Sequence, residues 1–286
     1  MSVKKMFART LRLRKGVYAR LGLAGLLVCA VASQSRAQTY IPAMEQSMHI
    51  DRTQDESLQP EPPADNGPAD DHGKPERVPK FPGVVVLFSG KQKEVSQNWI
   101  FQGSKKPAAW KVEDGAMVTS ADSLLSKQQF LDFQLHVEFK VPYMPEAHGQ
   151  ERGNSGVGLL ATYEIQVLDS FGFKEPGSGD CGAVYSQAAP LVNACKPPRH
   201  WQTYDITFHA ARWENGAKVK NARVTVFQNG ICVQNNQDIR GATGIANHET
   251  EGPGPIYLQY HNNTVRFRNV WVLPLAPEGA THYAPR

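Results

Sequence analysis

Residues 131 to 141 read Leu-Asp-Phe-Gln-Leu-His-Val-Glu-Phe-Lys-Val. Leu131, Phe133, Leu135, Val137, Phe139 and Val141 are apolar, and every residue between them is polar. Successive side chains leave a pleated backbone on opposite sides, so this spacing predicts a strand with one face in a core and one in water. His136 and Glu138 fall on the wet face by that reading.

The pattern repeats on both sides of this stretch. Val84 to Phe88 is a β-branched run closed by Ser89-Gly90, and Trp110 to Glu113 followed by Asp114-Gly115 reads as a hairpin arm and its turn. Further on, Tyr204, Ile206 and Phe208 alternate with Asp205, Thr207 and His209. Asn229-Gly230 then marks a two-residue hairpin turn that needs two positive φ angles. Ile256, Leu258 and Tyr260 oppose Tyr257, Gln259 and His261, and Val265, Phe267, Asn269 and Trp271 oppose Arg266 and Arg268. Between Val84 and Leu275 no stretch carries an apolar period of 3.6 residues. About 190 residues of short strands argue for one all-β domain, a sandwich of two antiparallel sheets.

What flanks this region is of another kind. Lys4, Lys5, Arg9, Arg12, Arg14, Lys15 and Arg20 precede an apolar run from Leu21 to Ala32, and Ser35-Arg36-Ala37 offers small residues at the positions a signal peptidase reads. Residues 1–37 therefore read as a cleaved export signal, which predicts a periplasmic or extracellular protein. The apolar run is too short to span a bilayer comfortably, so no transmembrane span is expected in the mature chain. Cys29 raises the question of a lipid anchor, but Val28 stands where the lipid-attachment motif wants a small residue. Residues 38–83, with segments such as Gln59-Pro60-Glu61-Pro62-Pro63-Ala64-Asp65, hold too few apolar residues for a core and read as a disordered, acidic, proline-rich linker. Residues 276–286 form a short C-terminal tail.

Removing the leader reverses the charge balance. The whole chain has 31 basic and 27 acidic residues, but eight of the basic ones and none of the acidic ones lie in residues 1–37. The remaining 23 against 27 give a net charge of −4, and nothing argues for a nucleic-acid partner. Of the three cysteines left, Cys181 and Cys195 are placed to close a disulfide around a loop, and Cys232 reads as a small apolar residue in a strand.

Candidate chemistry is concentrated in residues 153–170, Gly-Asn-Ser-Gly-Val-Gly-Leu-Leu-Ala-Thr-Tyr-Glu-Ile-Gln-Val-Leu-Asp-Ser. Glu164 and Gln166 share one face of a strand. One extra residue taken up as a β-bulge before Asp169 brings that second acid round beside them. Two carboxyls close together suit proton transfer on a sugar, one as acid and one as base or nucleophile. The plainer alternative is that both acids solvate an exposed sheet face. On alternation alone, Glu164, Gln166, Gln259, His261 and Arg268 are expected together on a concave sheet face, with Tyr185 or Tyr257 as a platform for a sugar ring.

Five motifs then carry a family resemblance in order: Gly153-Asn154-Ser155-Gly156, Tyr163 to Ser170, Gly182-Ala183-Val184-Tyr185, Trp201 to Asp205, and Phe267-Arg268-Asn269. Over Val84 to Leu275 the chain resembles the bacterial domain of unknown function 1080, also called the 3-keto-disaccharide hydrolase domain. The resemblance implies a concanavalin A-like jelly roll. It also implies cleavage of an oligosaccharide or glycoside already oxidised to a ketone at C3. Glu164-x-Gln166-x-x-Asp169 is similar to the Glu-x-Asp-x-x-Glu strand of laminarinase-type glucanases, but Gln replaces the orienting central acid and Asp the longer last one. That departure argues against a retaining double displacement.

A 3-keto group acidifies the C2 proton, so elimination across C1–C2 followed by addition of water is the chemistry this resemblance favours. Glu164 or His261 is then the base, with Asp169 as its partner or the acid. Asn154, Gln166, Tyr185, Gln259 and Arg268 are the substrate-binding candidates. A divalent metal polarising the ketone is equally good chemistry, although no ligand spacing demands one. A lectin-like binding module without catalysis, or an adhesion module, remains the alternative on the same fold.

Overall fold

A computed structural model describes residues 73–276. The expected leader, most of the expected linker and the tail from residue 277 lie outside the described residues. Two antiparallel sheets face each other across one apolar core, as the alternation predicts.

The larger sheet has eight strands. In spatial order they are β13 (Ile231–Ile239), β12 (Ala222–Gln228), β9 (Gln202–His209), β6 (Phe133–Lys140), β15 (Arg266–Pro274), β4 (Ala116–Val118) and β3 (Lys111–Glu113), with β1 (Val85–Phe88) also paired to β15. The smaller sheet runs β2 (Trp99–Phe101), β5 (Leu124–Phe130), β14 (Gly254–Leu258), β7 (Ser155–Leu159) and β8 (Tyr163–Val167). A separate hairpin joins β10 (Arg212–Glu214) to β11 (Ala217–Lys220).

Turn chemistry behaves as the residues require. Asn229 and Gly230 sit at φ 53° and 79°, and Asp114 and Gly115 at 51° and 75°, so both hairpins turn through the left-handed region that Asn, Asp and Gly tolerate. The core is closed between the layers by Tyr163 of β8 against Phe208 of β9, ring centroids 5.5 Å apart, and by the Tyr204 hydroxyl, which donates to the Gln166 carbonyl at 2.5 Å.

Two features depart from the sequence reading. A two-turn helix, α1 (Gln92–Asn98), follows β1 and buries Val95; Glu94 reaches back to accept from the Ser89 amide (2.7 Å) and hydroxyl (2.8 Å). With a single buried apolar residue it leaves no period to read.

The second departure is the outer face of β6, which is not wet. His136 and Glu138 are buried there, with the Trp271 ring stacked 5.2 Å from the His136 ring. Glu138 accepts from Arg268 Nε (2.6 Å), Asn269 Nδ2 (2.7 Å) and the Glu76 amide (2.7 Å), while His136 Nδ1 lies 2.7 Å from Asp205 Oδ1. Burial alone would favour neutral forms. The hydrogen bonds from His136, Asn269, Glu76 and Arg268 outweigh it for Glu138, whose pKa falls to about 2, and those to Asp205 and Glu138 outweigh it for His136, raised to about 9. Segment 73–83, which forms no strand, is thereby tied to the back of the larger sheet, since Asn269 Nδ2 also donates to the Glu76 carbonyl at 2.9 Å.

Candidate functional site

The outer face of the smaller sheet carries the chemistry. β8 sends Tyr163, Ile165 and Val167 into the core, which leaves Glu164 and Gln166 on the opposite side. The neighbouring β7 places Gly156 opposite Gln166 and Gly158 opposite Glu164, so the bare backbone of β7 makes a bed on which larger side chains lie. A methyl group on Gly156 would overlap Glu164 Oε1, and one on Gly158 would stand 2.7 Å from the Tyr257 Cβ and 2.5 Å from Ile245 Cδ1. Glycine is required at Gly156 for space, not for backbone freedom. Replacing it (Gly156→Ala) is expected to dislodge the Glu164 carboxyl. Turnover should fall by at least about 100-fold, the scale of a misplaced reacting group, and steady-state kinetics on the folded variant would check it.

Loops cover this face. The Thr243 hydroxyl accepts from the Glu164 amide at 2.8 Å, while the Thr243 amide donates to the Thr162 carbonyl at 3.0 Å. Gly244 follows, and a Cβ there would lie 3.3 Å from the Tyr185 ring and 3.4 Å from Glu164 Oε2. Tyr185 belongs to a segment that extends the sheet beyond β8: Gln166 N donates to the Ala183 carbonyl (3.0 Å), Gly182 N to the Gln166 carbonyl (3.0 Å) and Tyr185 N to the Glu164 carbonyl (3.1 Å).

Glu164 is 3 % exposed and its carboxyl has no hydrogen-bond or ion-pair partner among the described residues. Burial pushes its pKa up to about 7. Beside it, Tyr257 donates from its hydroxyl to Ser123 Oγ at 3.0 Å, and its pKa is also raised, chiefly by burial and further by the Glu164 charge, so the phenol stays protonated at neutral pH.

An amide cluster completes the floor. Gln166 Nε2 donates to Gln150 Oε1 (2.9 Å), and Asn154 Nδ2 donates to the Gln150 carbonyl (2.7 Å). Gln259 is held through its backbone, donating to the Gly156 carbonyl at 3.0 Å and accepting from Ser155 Oγ at 2.7 Å, while its Oε1 is buried without a partner among the described residues.

The structure thus gathers Glu164, Gln166, Asn154, Tyr185 and Gln259 on one face and separates the rest. Asp169 is the first correction. Alternation does break before it, because Val167 and Leu168 both enter the core, but its carboxylate accepts from Arg152 Nε at 2.7 Å and from the Phe171 amide at 3.3 Å in a buried ion pair. No described contact joins it to Glu164. Arg268 is the second. It lies on β15 in the other sheet, committed to Glu138, with its guanidinium 3.9 Å from the Trp201 ring centroid. His261 is the third, exposed beyond the end of β14, with no described side-chain contact to the site.

Cys181 and Cys195 are adjacent but are thiols in this structure, not a disulfide. Gln150, Thr243 and Gly244 were not legible as site residues, since loops carry no period. Gly156 and Gly158 did leave a signal, because glycines alternating within a strand mark a close approach.

The site offers one carboxyl among amides and phenols. No group of three or more His, Cys, Asp or Glu able to hold a metal stands among the described residues.

Comparison with known proteins agrees with this picture. An inferred glycosyl hydrolase from Parabacteroides distasonis is 36 % identical, with a TM-score of 0.62, over 68 % of this chain and 84 % of that one. A second inferred glycosyl hydrolase from the same organism is 19 % identical with a TM-score of 0.50, over 68 % and 94 %, and speaks for the fold alone. No curated protein matches the chain. Residues 83–273 match a family profile that spans both sheets and the whole Glu164 face, and the chain belongs to the family of 3-keto-alpha-glucoside-1,2-lyase-like domains.

Proposed function

We propose that this protein is an exported enzyme that cleaves 3-keto-glycosides by elimination and hydration, with Glu164 as the base. The observation that carries the reading is the Glu164 carboxyl, buried, unpartnered and with a pKa of about 7. A general base works best when its pKa lies near the working pH, and an unpaired buried carboxyl is costly to keep unless it has work to do. A binding module gains nothing from such a group.

In the reaction the ketone at C3 makes the C2 proton acidic. Glu164 takes that proton, the electron pair left at C2 forms the C1=C2 double bond, and the C1–O bond breaks. Tyr257, held protonated beside Glu164, supplies the proton to the departing oxygen. Gln166, Asn154 and Gln259 hydrogen-bond the ketone and ring hydroxyls, where charge develops on the enolate oxygen. Water then adds its oxygen to C1 and gives a proton to the Tyr257 phenolate, while Glu164, its proton exchanged with solvent, protonates C2, giving the free 3-keto sugar and both groups in their starting states. One carboxyl suffices for this route, whereas a retaining displacement needs two about 5 Å apart.

The test is incubation with a 3-keto-glucoside and its unoxidised parent in deuterated water. Aglycone released from the keto substrate alone, with deuterium at C2 of the sugar, is the expected result. Release from the parent at a similar rate, or no deuterium at C2, would refute the elimination route. No release from either, with sugar binding by calorimetry, would leave a lectin-like module.

A further inference from the structure

The loop that brings Tyr185 to Glu164 begins and ends at cysteines. Cys181 is fully buried and Cys195 half-buried, and both are thiols. Both sulfurs meet the same amide, Gln228 Nε2, at 3.5 Å for Cys181 and 3.3 Å for Cys195. The same Nε2 also donates to Gln202 Oε1 (3.0 Å), while Gln228 Oε1 is buried with no partner among the described residues.

Everything between the two cysteines that faces the site hangs from this point. Gly182 and Ala183 pair with Gln166, and Tyr185 pairs with Glu164. Gln187 clamps the loop that carries Gly244, donating to the Gly241 carbonyl at 2.7 Å and accepting from the Arg240 amide at 2.9 Å. Behind them, the Cys181 sulfur lies 3.1 Å from the Tyr204 hydroxyl, which itself donates to Gln166.

We infer that Cys181 and Cys195 are a covalent modification site, and that their oxidation to a disulfide locks the Tyr185–Gln187 loop onto the Glu164 face. The oxidant is an external disulfide, either a small thiol compound in its oxidised form or a dithiol oxidase. The half-buried Cys195 enters first: its thiolate attacks the external disulfide, forms a mixed disulfide and releases one thiol. The Cys181 thiolate then attacks the Cys195 sulfur, and the external sulfur departs as the second thiol. Two electrons pass to the oxidant, and the two cysteine protons leave on the released thiols.

Burial raises the Cys181 thiol, but hydrogen bonds from Cys195, Tyr204, the Leu168 backbone and Gln228 outweigh it and bring the group below its ordinary range. Cys195 is raised, by its hydrogen bond with Cys181 and by burial, so the loss of its proton limits the first step, which should quicken as pH rises.

The test uses the full chain with oxidised or reduced glutathione. After oxidation the tryptic peptide holding both cysteines should be lighter by two hydrogens, while Cys29 and Cys232 remain alkylatable. The midpoint of thermal unfolding should rise by roughly 6–12 °C, as closing a loop of about 15 residues predicts. Amide exchange at Tyr185 and Gln187 should slow by about tenfold or more. Cys195→Ala should lose all three effects and Cys232→Ser none. Failure of the two cysteines to join under oxidant, or a disulfide that leaves exchange at Tyr185 and Gln187 unchanged, would overturn the inference. These readouts need no turnover, so they stand apart from the keto-glycoside reading. On that reading alone, oxidation should also lower the KM.

Discussion

Glu164→Gln is expected to abolish turnover and to stabilise the fold, two changes that ordinarily oppose each other in an active-site variant. Loss of the general base should lower kcat by about 100- to 10,000-fold. The stability gain follows from linkage. The Glu164 carboxyl has a pKa of about 7 in the folded state, against 4.5 for an ordinary glutamate. As pH rises from about 4.5, the unfolded chain loses this proton first, so the folded state binds more protons and stability falls, levelling only above about pH 7. The shift corresponds to about 3 kcal/mol at neutral pH, which glutamine, carrying no charge, escapes. Thermal unfolding of the two proteins should therefore coincide near pH 4 and separate by roughly 6–12 °C at pH 8, with the variant higher. Equal melting at pH 8 would mean that Glu164 is solvated, and the base assignment would fall with it.

Asp169→Asn should do the reverse. If Asp169 were a second catalytic acid, its amide variant would fold normally and fail to turn over. In the structure its carboxylate neutralises a buried guanidinium: the Arg152 and Asp169 side chains are 3 % and 0 % exposed, and Arg152 Nη2 already lacks a hydrogen-bond partner. Removing the charge leaves Arg152 buried and unpaired, which costs about 3–5 kcal/mol. Chemical denaturation should show that loss, and kcat per folded molecule should stay within about threefold of the parent, since no described contact links Asp169 to Glu164. A variant that is stable and inactive would return Asp169 to the reaction.

Much of this arrangement was legible before the fold was known. The alternation at Leu131 to Val141 identified β6, Asn229-Gly230 identified a hairpin turn with its positive φ angles, and Asp114-Gly115 identified a second turn. Glu164 and Gln166 fell together because pleating is local. Alternation fixes the side of its own strand that a residue occupies and says nothing about which sheet that strand joins. Arg268 and Gln259 have equivalent phases in their strands, yet β15 lies in the larger sheet and β14 in the smaller.

The burial of His136 and Glu138 was hidden for a related reason. A polar face reads as wet unless its partners are known, and here they come from β15, from Asp205 on β9 and from Glu76 of the segment before β1. Asp169 depends likewise on Arg152, 17 residues away at the other end of the β7–β8 hairpin. Ion pairs between separate segments leave no periodic trace.

The tie at Glu76 has a consequence for orientation. The chain upstream of residue 76 meets the folded domain on the outer face of the larger sheet, while Glu164 opens from the outer face of the smaller one. Two sheets about 10 Å apart stand between this tie and the Glu164 carboxyl. The segment before β1 and the Glu164 carboxyl thus occupy opposite sides of the sandwich, and a molecule that reaches Glu164 approaches from the side away from Glu76.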